Sequence, residues 1–414
     1  MLHIDREALW ADHMALAEIT EPDRPYTRRP FSALHRQGRA WLAERFAAAG
    51  LAVHTDAGGN LIGRREGSQT DAPVLMLGSH SDTVPAGGRF DGISGVLTGL
   101  AAVRALDAAG HRLRHPLELV DFLAEEPSDF GLSCVGSRAL SGALEPEHLT
   151  RTDADGRTLA QAIAEMGGAP DRIAGVTRAP GAVKAMLELH IEQGRVLEHE
   201  GLDIGVVSRI VAIRRQRIEI EGQADHAGTT PMALRRDAMA GAARLIAWIE
   251  AEAVRRAAEG PDYLVATVGA VEVRPNAFNV IPERVDLVLD LRGDTREGID
   301  ALLADLEARF PDLLEASGLA GRIVPLTLAE PTLCDTRLQE RIAVAAEARG
   351  YGLRPMPSGA GHDAGWIARV APAAMIFVPC REGISHSAAE WSSAEQLGRG
   401  ADVLLDTVLA CDAL

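Results

Sequence analysis

The fold of this chain turns on one stretch, "VLMLGSHSDTVPAGGRFDG", residues 74–92. The apolar run Val74 to Leu77 reads as a buried strand. The loop after it collects His80, Asp82 and Asp91 around a Gly-Gly pair at 87–88, and "GISGVLTGLAAVRALDAAG" (92–110) follows with a helical pattern. In a strand–loop–helix unit of this kind the loop lies over the C-terminal end of the strand, where open α/β sheets place their binding residues.

Working outward, the same alternation continues. "RAWLAERFAAAGL" (39–51) reads as helix, "LELVDFLA" (117–124) and "KAMLELH" (184–190) as strands. The pattern predicts an α/β fold with a mostly parallel twisted sheet covered by helices on both faces. After about residue 207 the texture changes. "RRQRIEIEG" (214–222) and "RVDLVLDLRGD" (284–294) alternate with period two, as strands with one wet face do, and residues 236–258 and 298–310 read as amphipathic helices. An inserted α+β module is expected over 207–324, between segments 1–206 and 325–414 of a discontinuous first domain. The last segment returns to α/β texture with "AMIFVP" (374–379) and a terminal helix at 393–409.

The chain has 414 residues, 47% hydrophobic and 24% charged, and no apolar run of the roughly 20 residues a membrane helix needs. Its formal net charge of −17 argues against a nucleic-acid surface, which requires clustered Lys and Arg. Cys134, Cys334, Cys380 and Cys411 lack CxxC spacing, so neither a disulfide framework nor a thiolate metal knuckle is suggested. The N-terminus lacks the pattern of a secretory signal, and the cytoplasm is the expected location. An anionic substrate would need a local positive site working against the acidic background.

Several charged or imidazole residues follow directly from apolar strands. His80 with Asp82 suits a ligand backed by a carboxylate, though a turn histidine beside a capping aspartate would look the same. Asp91 falls at a helix start, where an N-cap needs no further role. In "LVDFLAEEPSDFG" (119–131) the adjacent Glu125 and Glu126 point apart on an extended backbone, so one can ligate while the other stays free as a base. His190 ends "LELH", and His386 lies in "EGISHSAAEW" (382–391). Three imidazoles and two carboxylates, His80, Asp91, Glu126, His190 and His386, suit a pair of borderline metals such as Zn²⁺, with Mn²⁺ or Co²⁺ also plausible.

The blocks "GSHSDTVPAGGRFDG", "AEEPSDFG", "GSRALSG", "ELHIEQG", "DHAGTTPM", "NAFNVIP", "LDLRGD", "SGAGHDA" and "GISHS" resemble, in order, the signature of the hydantoinase/carbamoylase amidases, within the dinuclear zinc aminoacylase and carboxypeptidase-like superfamily. "TRRPFSALH" and "GNLIGRREG" near the N-terminus are similar as well. The resemblance implies a zinc-exopeptidase-like catalytic domain with His80, Asp91, Glu126, His190 and His386 as ligands of two divalent ions, Asp91 bridging. It implies Glu125 as general base and acid, and Asp82 as support behind His80. Residues 207–324 become a lid and dimerisation domain whose His226 reaches the partner's site in a homodimer. Asn279 and Arg292 bind substrate, with Gln193 and Arg215 as further contacts.

The reaction so implied is metal-assisted cleavage of the carbamoyl C–N bond of an N-carbamoyl amino acid or related ureido acid, releasing ammonia and CO₂. Histidine at 190 fits the ureido-cleaving group, because peptide-cleaving relatives commonly carry an acid there. Allantoate or ureidoglycolate hydrolysis, or a metallo-aminoacylase or dipeptidase on the same scaffold, remains an alternative. Two features depart from the pattern. Pro127 stands where many relatives have a small residue, and the double arginine Arg214-Arg215 is more like allantoate-processing relatives. By similarity to the superfamily, a cis peptide after Asp91 is also expected.

Overall fold

The computed structural model describes residues 2–69, 71–260 and 263–413. The chain forms two compact units, one of residues 1–208 with 333–414, the other of 209–332.

The first unit is built on a nine-stranded sheet whose central run is Leu61–Arg65, Leu117–Phe122, Val74–His80, Val183–Ile191 and Ala373–Val378. The last four of these pair in parallel, and Leu61–Arg65 joins Leu117–Phe122 antiparallel. Leu117–Phe122, Val74–His80 and Ala373–Val378 are buried along their whole length, which explains their near-continuous apolar sequences. Glu188 and Leu189, adjacent on one strand, point to opposite faces. The Glu188 carboxylate accepts the Ala364 N–H at the start of helix Asp363–Ile367 (2.8 Å), whereas a Cβ on Gly400 of helix Ala394–Asp412 would meet Leu189 Cδ1 at 2.7 Å. Helices therefore cover both faces, as the alternation predicts.

"TRRPFSALH" has a structural task. Arg28 is buried, and its guanidinium donates to the Ser81 carbonyl (2.8 Å) and to the carbonyls of Leu16 (3.1 Å) and Ile19 (2.9 Å). The Arg28 carbonyl accepts the Thr83 N–H (3.0 Å). The N-terminal segment is thus fastened to the loop that follows His80.

The second unit is a four-stranded antiparallel sheet in the order Ala320–Ala329, Ala212–Glu221, Arg284–Gly293, Leu264–Arg274. Val285, Leu287, Leu289 and Leu291 share a core with Leu245 and Ile249 of helix Ala238–Glu259 and with Leu302 and Leu306 of helix Arg296–Glu315. The intervening Asp286, Asp290 and Arg292 lie on the face away from the helices. Because Ala320–Ala329 pairs with Ala212–Glu221 throughout, the chain stays in this unit past residue 324, and the unit ends at Thr332.

Helix Ile93–Ala108 packs against Val74–His80 and Val183–Ile191. A Cβ on Gly95 would lie 2.4 Å from the Leu189 carbonyl oxygen and 2.5 Å from Ser79 Cβ, whereas one on Gly99 would meet only Leu119 Cδ1 at comparable range. Backbone cannot give way as a leucine methyl can, so Gly95→Ala should destabilise the protein by about 1–3 kcal/mol. Gly99→Ala should cost less; urea melts of the two variants check the ranking.

Candidate metal centre

The parallel register pairs Leu77 with Leu187, which continued by three residues brings His80 level with His190. Their ring centroids lie 6.0 Å apart. The loop after His80 then returns to deliver Asp91 between them. His80 Nε2 is 3.5 Å, and His190 Nε2 3.3 Å, from Asp91 Oδ1. On the other oxygen, Asp91 Oδ2 is 3.3 Å from His386 Nε2, which in turn is 3.4 Å from Glu126 Oε1. Two donor groups result, His80–Asp91–His190 and Asp91–Glu126–His386, each with its ligand atoms within 4.8 Å of one another. Asp91 belongs to both.

The turn that returns Asp91 does not use the expected cis bond; the Asp91–Gly92 peptide is trans. Gly92 instead makes it at φ 67°, where a Cβ would sit 2.3 Å from His80 Nε2. Only glycine leaves room there for the imidazole. Its N–H also lies 3.0 Å from His190 Nε2, a claim on that lone pair which ligation would replace.

Three observations fit this donor set to a divalent cation. His80 Nδ1 pairs with the Asp82 carbonyl (3.0 Å) and His190 Nδ1 with the Ile191 carbonyl (2.9 Å), an arrangement that directs Nε2 of each ring to the centre. Glu126 Oε1 is buried without a hydrogen-bond donor. Burial, and then the charge of Asp91, pushes the Glu126 carboxyl up to about 7. Burial likewise drives Glu125 well above the usual carboxylate range, with Asp363, Glu126 and Asp82 adding to it and His80 opposing. Positive charge at the centre relieves both. Imidazole and carboxylate donors suit Zn²⁺, Mn²⁺ or Co²⁺.

Glu125 stands outside the two groups, its Oε2 3.5 Å from His80 Nε2 while Glu126 faces His386. The adjacent acids are thus directed apart, and Cys134 Sγ lies 3.3 Å from Glu125 Oε1. Asp82 supports the site differently from the expectation. Its carboxylate is 3.9 Å from His80 Nδ1 and instead accepts the N–H groups of Glu125 (3.3 Å) and Glu126 (3.0 Å); its backbone carbonyl is what meets the imidazole. Gln193, at φ 58°, donates to Asp91 Oδ2 (2.6 Å).

The remaining expected residues lie in the second unit, described by itself. His226 forms an isolated bridge with Val280, and the Ala227 N–H donates to the Asn279 carbonyl (3.0 Å), so His226 and Asn279 share one loop cluster. Arg215 and Arg292 both reach Asp290, at 2.7 and 2.8 Å. Arg214 is buried against the Ala329 carbonyl (3.1 Å) and Glu330 (3.3 Å).

Sequence reasoning missed Glu390 and Ser385. Glu390 Oε1 accepts the N–H groups of Phe90 (2.8 Å) and Asp91 (3.2 Å), and the Ser385 hydroxyl lies 2.8 Å from Asp91 Oδ2 and 2.9 Å from Glu390 Oε2. An acid four residues beyond His386 in "HSAAE" was the available signal. Glu188, which accepts from Ser79 (2.7 Å), was also missed; its place two residues before His190 puts it on the same strand face.

A profile described as peptidase family M20/M25/M40 matches residues 76–410. The N-carbamoyl-L-amino acid amidohydrolase of Geobacillus stearothermophilus is 43% identical over 406 residues, 98% of each chain. The allantoate amidohydrolase of Bacillus subtilis is 37% identical over 86% of this chain and 85% of its own. Among solved structures, a hydantoinase/carbamoylase family amidase from Burkholderia multivorans superposes with a TM-score of 0.93 at 36% identity, covering 100% of this chain and 99% of that one.

The Gly92 contact yields a test of the cage itself. Gly92→Ala should displace the His80 imidazole and weaken divalent-ion affinity on the order of 10–100-fold. Metal titration by calorimetry, with circular dichroism to show that the fold persists, checks it.

Proposed function

We propose that this chain, which belongs to peptidase family M20/M25/M40, cleaves the carbamoyl C–N bond of an N-carbamoyl-L-amino acid, giving the free amino acid, ammonia and CO₂. The protein is a hydrolase acting on non-peptide C–N bonds. One observation carries the mechanistic reading: Asp91 is shared by two donor groups, with Glu125 beside them but outside both.

His80, Asp91 and His190 would hold one divalent ion, Asp91, Glu126 and His386 a second. When bound, such ions lower the pKa of water from 15.7 to about 7 and polarise the carbonyl under attack. Glu125 takes the water proton and returns it to the leaving nitrogen, a transfer favoured by its position beside His80 and outside both donor groups. Gln193 and Asp82 hold Asp91 and the Glu125–Glu126 backbone in place. In the second unit, which we assign as lid and dimerisation domain, His226 supplies the donor for the oxyanion in the partner subunit's site of a homodimer. Asn279 and Arg292 hold the substrate, Arg292 by its carboxylate.

Allantoate and ureidoglycolate present the same type of bond, and the relatives named for them support these substrates as a second reading. We place the protein in the cytoplasm, a location supported by four buried, unpaired cysteines. Among the described residues no helix is long and apolar enough to cross a membrane.

With Mn²⁺, Co²⁺ or Zn²⁺ added, ammonia release from N-carbamoyl-L-amino acids should exceed cleavage of N-acetyl amino acids and dipeptides. The reverse order would sink the proposal. Glu125→Gln should lower kcat about 10²–10⁴-fold and leave metal content intact. The composite site makes a separate prediction. Equimolar mixing of inactive Glu125→Gln with inactive His226→Ala should restore about a quarter of wild-type activity, since half the dimers then carry one complete site.

A further inference from the structure

The Glu125 carboxylate is approached from two sides, and the reaction as described uses only one of them. Its Oε2 lies 3.5 Å from His80 Nε2, on the side of the donor groups, while its Oε1 lies 3.3 Å from Cys134 Sγ. Among the described residues no other side chain offers that carboxylate a hydrogen bond. Cys134 is buried, and burial, followed by the Glu125 and Asp363 carboxyls, pushes its thiol well above the ordinary range. It therefore stays an S–H donor rather than a thiolate.

The backbone at Cys134 is equally particular. It sits at φ 55° and ψ 39°, a left-handed conformation that favours glycine. The turn so made lets three successive N–H groups, those of Cys134, Val135 and Gly136, donate to the carbonyls of Glu125 (2.9 Å), Ala124 (3.1 Å) and Leu123 (2.8 Å). Glycine at 134 could make all three bonds at lower conformational cost. What cysteine adds is the contact between sulfur and the carboxylate. We propose that Cys134 is a positioning residue for the general base: its thiol donates to Glu125 Oε1 and so keeps Oε2 turned to the His80 side, where the water proton is taken. The inference rests on Glu125 acting as base, as in the function proposed above. A carboxylate released at Oε1 is free to leave that orientation, which slows the chemical step without touching the groups that bind substrate.

Three variants of the metal-loaded enzyme separate the thiol from the backbone. Cys134→Ala keeps the left-handed cost and removes the donor, Cys134→Gly removes both, and Cys134→Ser keeps the cost and restores a donor. The alanine and glycine variants should lose about tenfold in kcat, the low end for a hydrogen bond to a charged group, with KM and metal content within about twofold of wild type. The serine variant should recover most of that loss. Added to Glu125→Gln, Cys134→Ala should cost no further activity, because the thiol acts only through the base.

Unchanged kcat in the alanine and glycine variants, an equal fall in all three, or a loss that appears in KM would each overturn the proposal. Should Cys134→Ala fail to fold, Cys134→Gly, which has no left-handed cost, carries the test. The infrared S–H stretch gives a readout independent of turnover. The band lost in Cys134→Ala should move to higher frequency in Glu125→Gln, where the acceptor has no charge. A band that moves while Glu125→Gln keeps full turnover overturns the reading of Glu125 as base and leaves the thiol holding its side chain; an inactive Glu125→Gln with an unmoved band does the opposite.

Discussion

Asp91 is the point on which the first unit is organised. Its two oxygens face different partners, Oδ1 the imidazoles of His80 and His190, Oδ2 that of His386. A buried carboxylate without compensation is among the most costly groups a protein can hold. Here compensation comes from three chain segments far apart in sequence. The parallel register sets the two strand histidines level, the glycine turn delivers the acid between them, and the loop after Ala373–Val378 brings the third imidazole. Although burial alone would raise the Asp91 carboxyl, the imidazoles hold it well below its ordinary range. The acid and its partners stabilise each other only while all three segments are in place.

The segments are also braced crosswise. Asp82, in the loop that begins at His80, accepts the backbone N–H groups of Glu125 and Glu126; Glu390, in the loop that carries His386, accepts those of Phe90 and Asp91. Each acid thus fixes the backbone of a neighbouring loop rather than a side chain. This matters because Ala124, Gln193 and His386 sit at positive φ, a conformation that costs a non-glycine residue of order 1–3 kcal/mol where nothing holds it. The Asp82 bonds to the two residues after Ala124 offset that cost there and set the direction in which Glu125 enters the site.

Much of this was legible in the residues. His80, Asp91, Glu126, His190 and His386 each follow an apolar strand or open a helix, and strand ends of one parallel sheet necessarily meet along one edge. That Glu125 and Glu126 point apart was readable from their adjacency, but the strand ends at Phe122, and the positive φ of Ala124 and the Asp82 bonds set their directions. What could not be read were contacts made by main chain. Spacing ties Asp82 to His80, but not to the amides of a loop 43 residues away. The end of the inserted unit was hidden for a related reason: Ala320–Ala329 has the texture of either unit, and only its pairing with Ala212–Glu221 decides.

The double arginine shows how a one-residue alternation separates chemistry from structure. On an extended strand Arg214 and Arg215 project to opposite faces, so they cannot converge on one anion. Arg214 falls on the helix side with Ala212 and Ile218, where it is buried and its guanidinium serves the Ala329 carbonyl and Glu330. Arg215 falls on the open side with Asp290 and Arg292. In a protein of formal net charge −17, a positive patch on an open sheet face survives only where the surrounding acids are themselves occupied. Among the described residues of this face, Glu219 and Asp286 are engaged by Arg284, at 3.1 and 2.9 Å. The identity of neighbouring residues in the sequence is therefore a poor guide to charge at a site; the strand face on which each falls, and the acid each meets there, decide it.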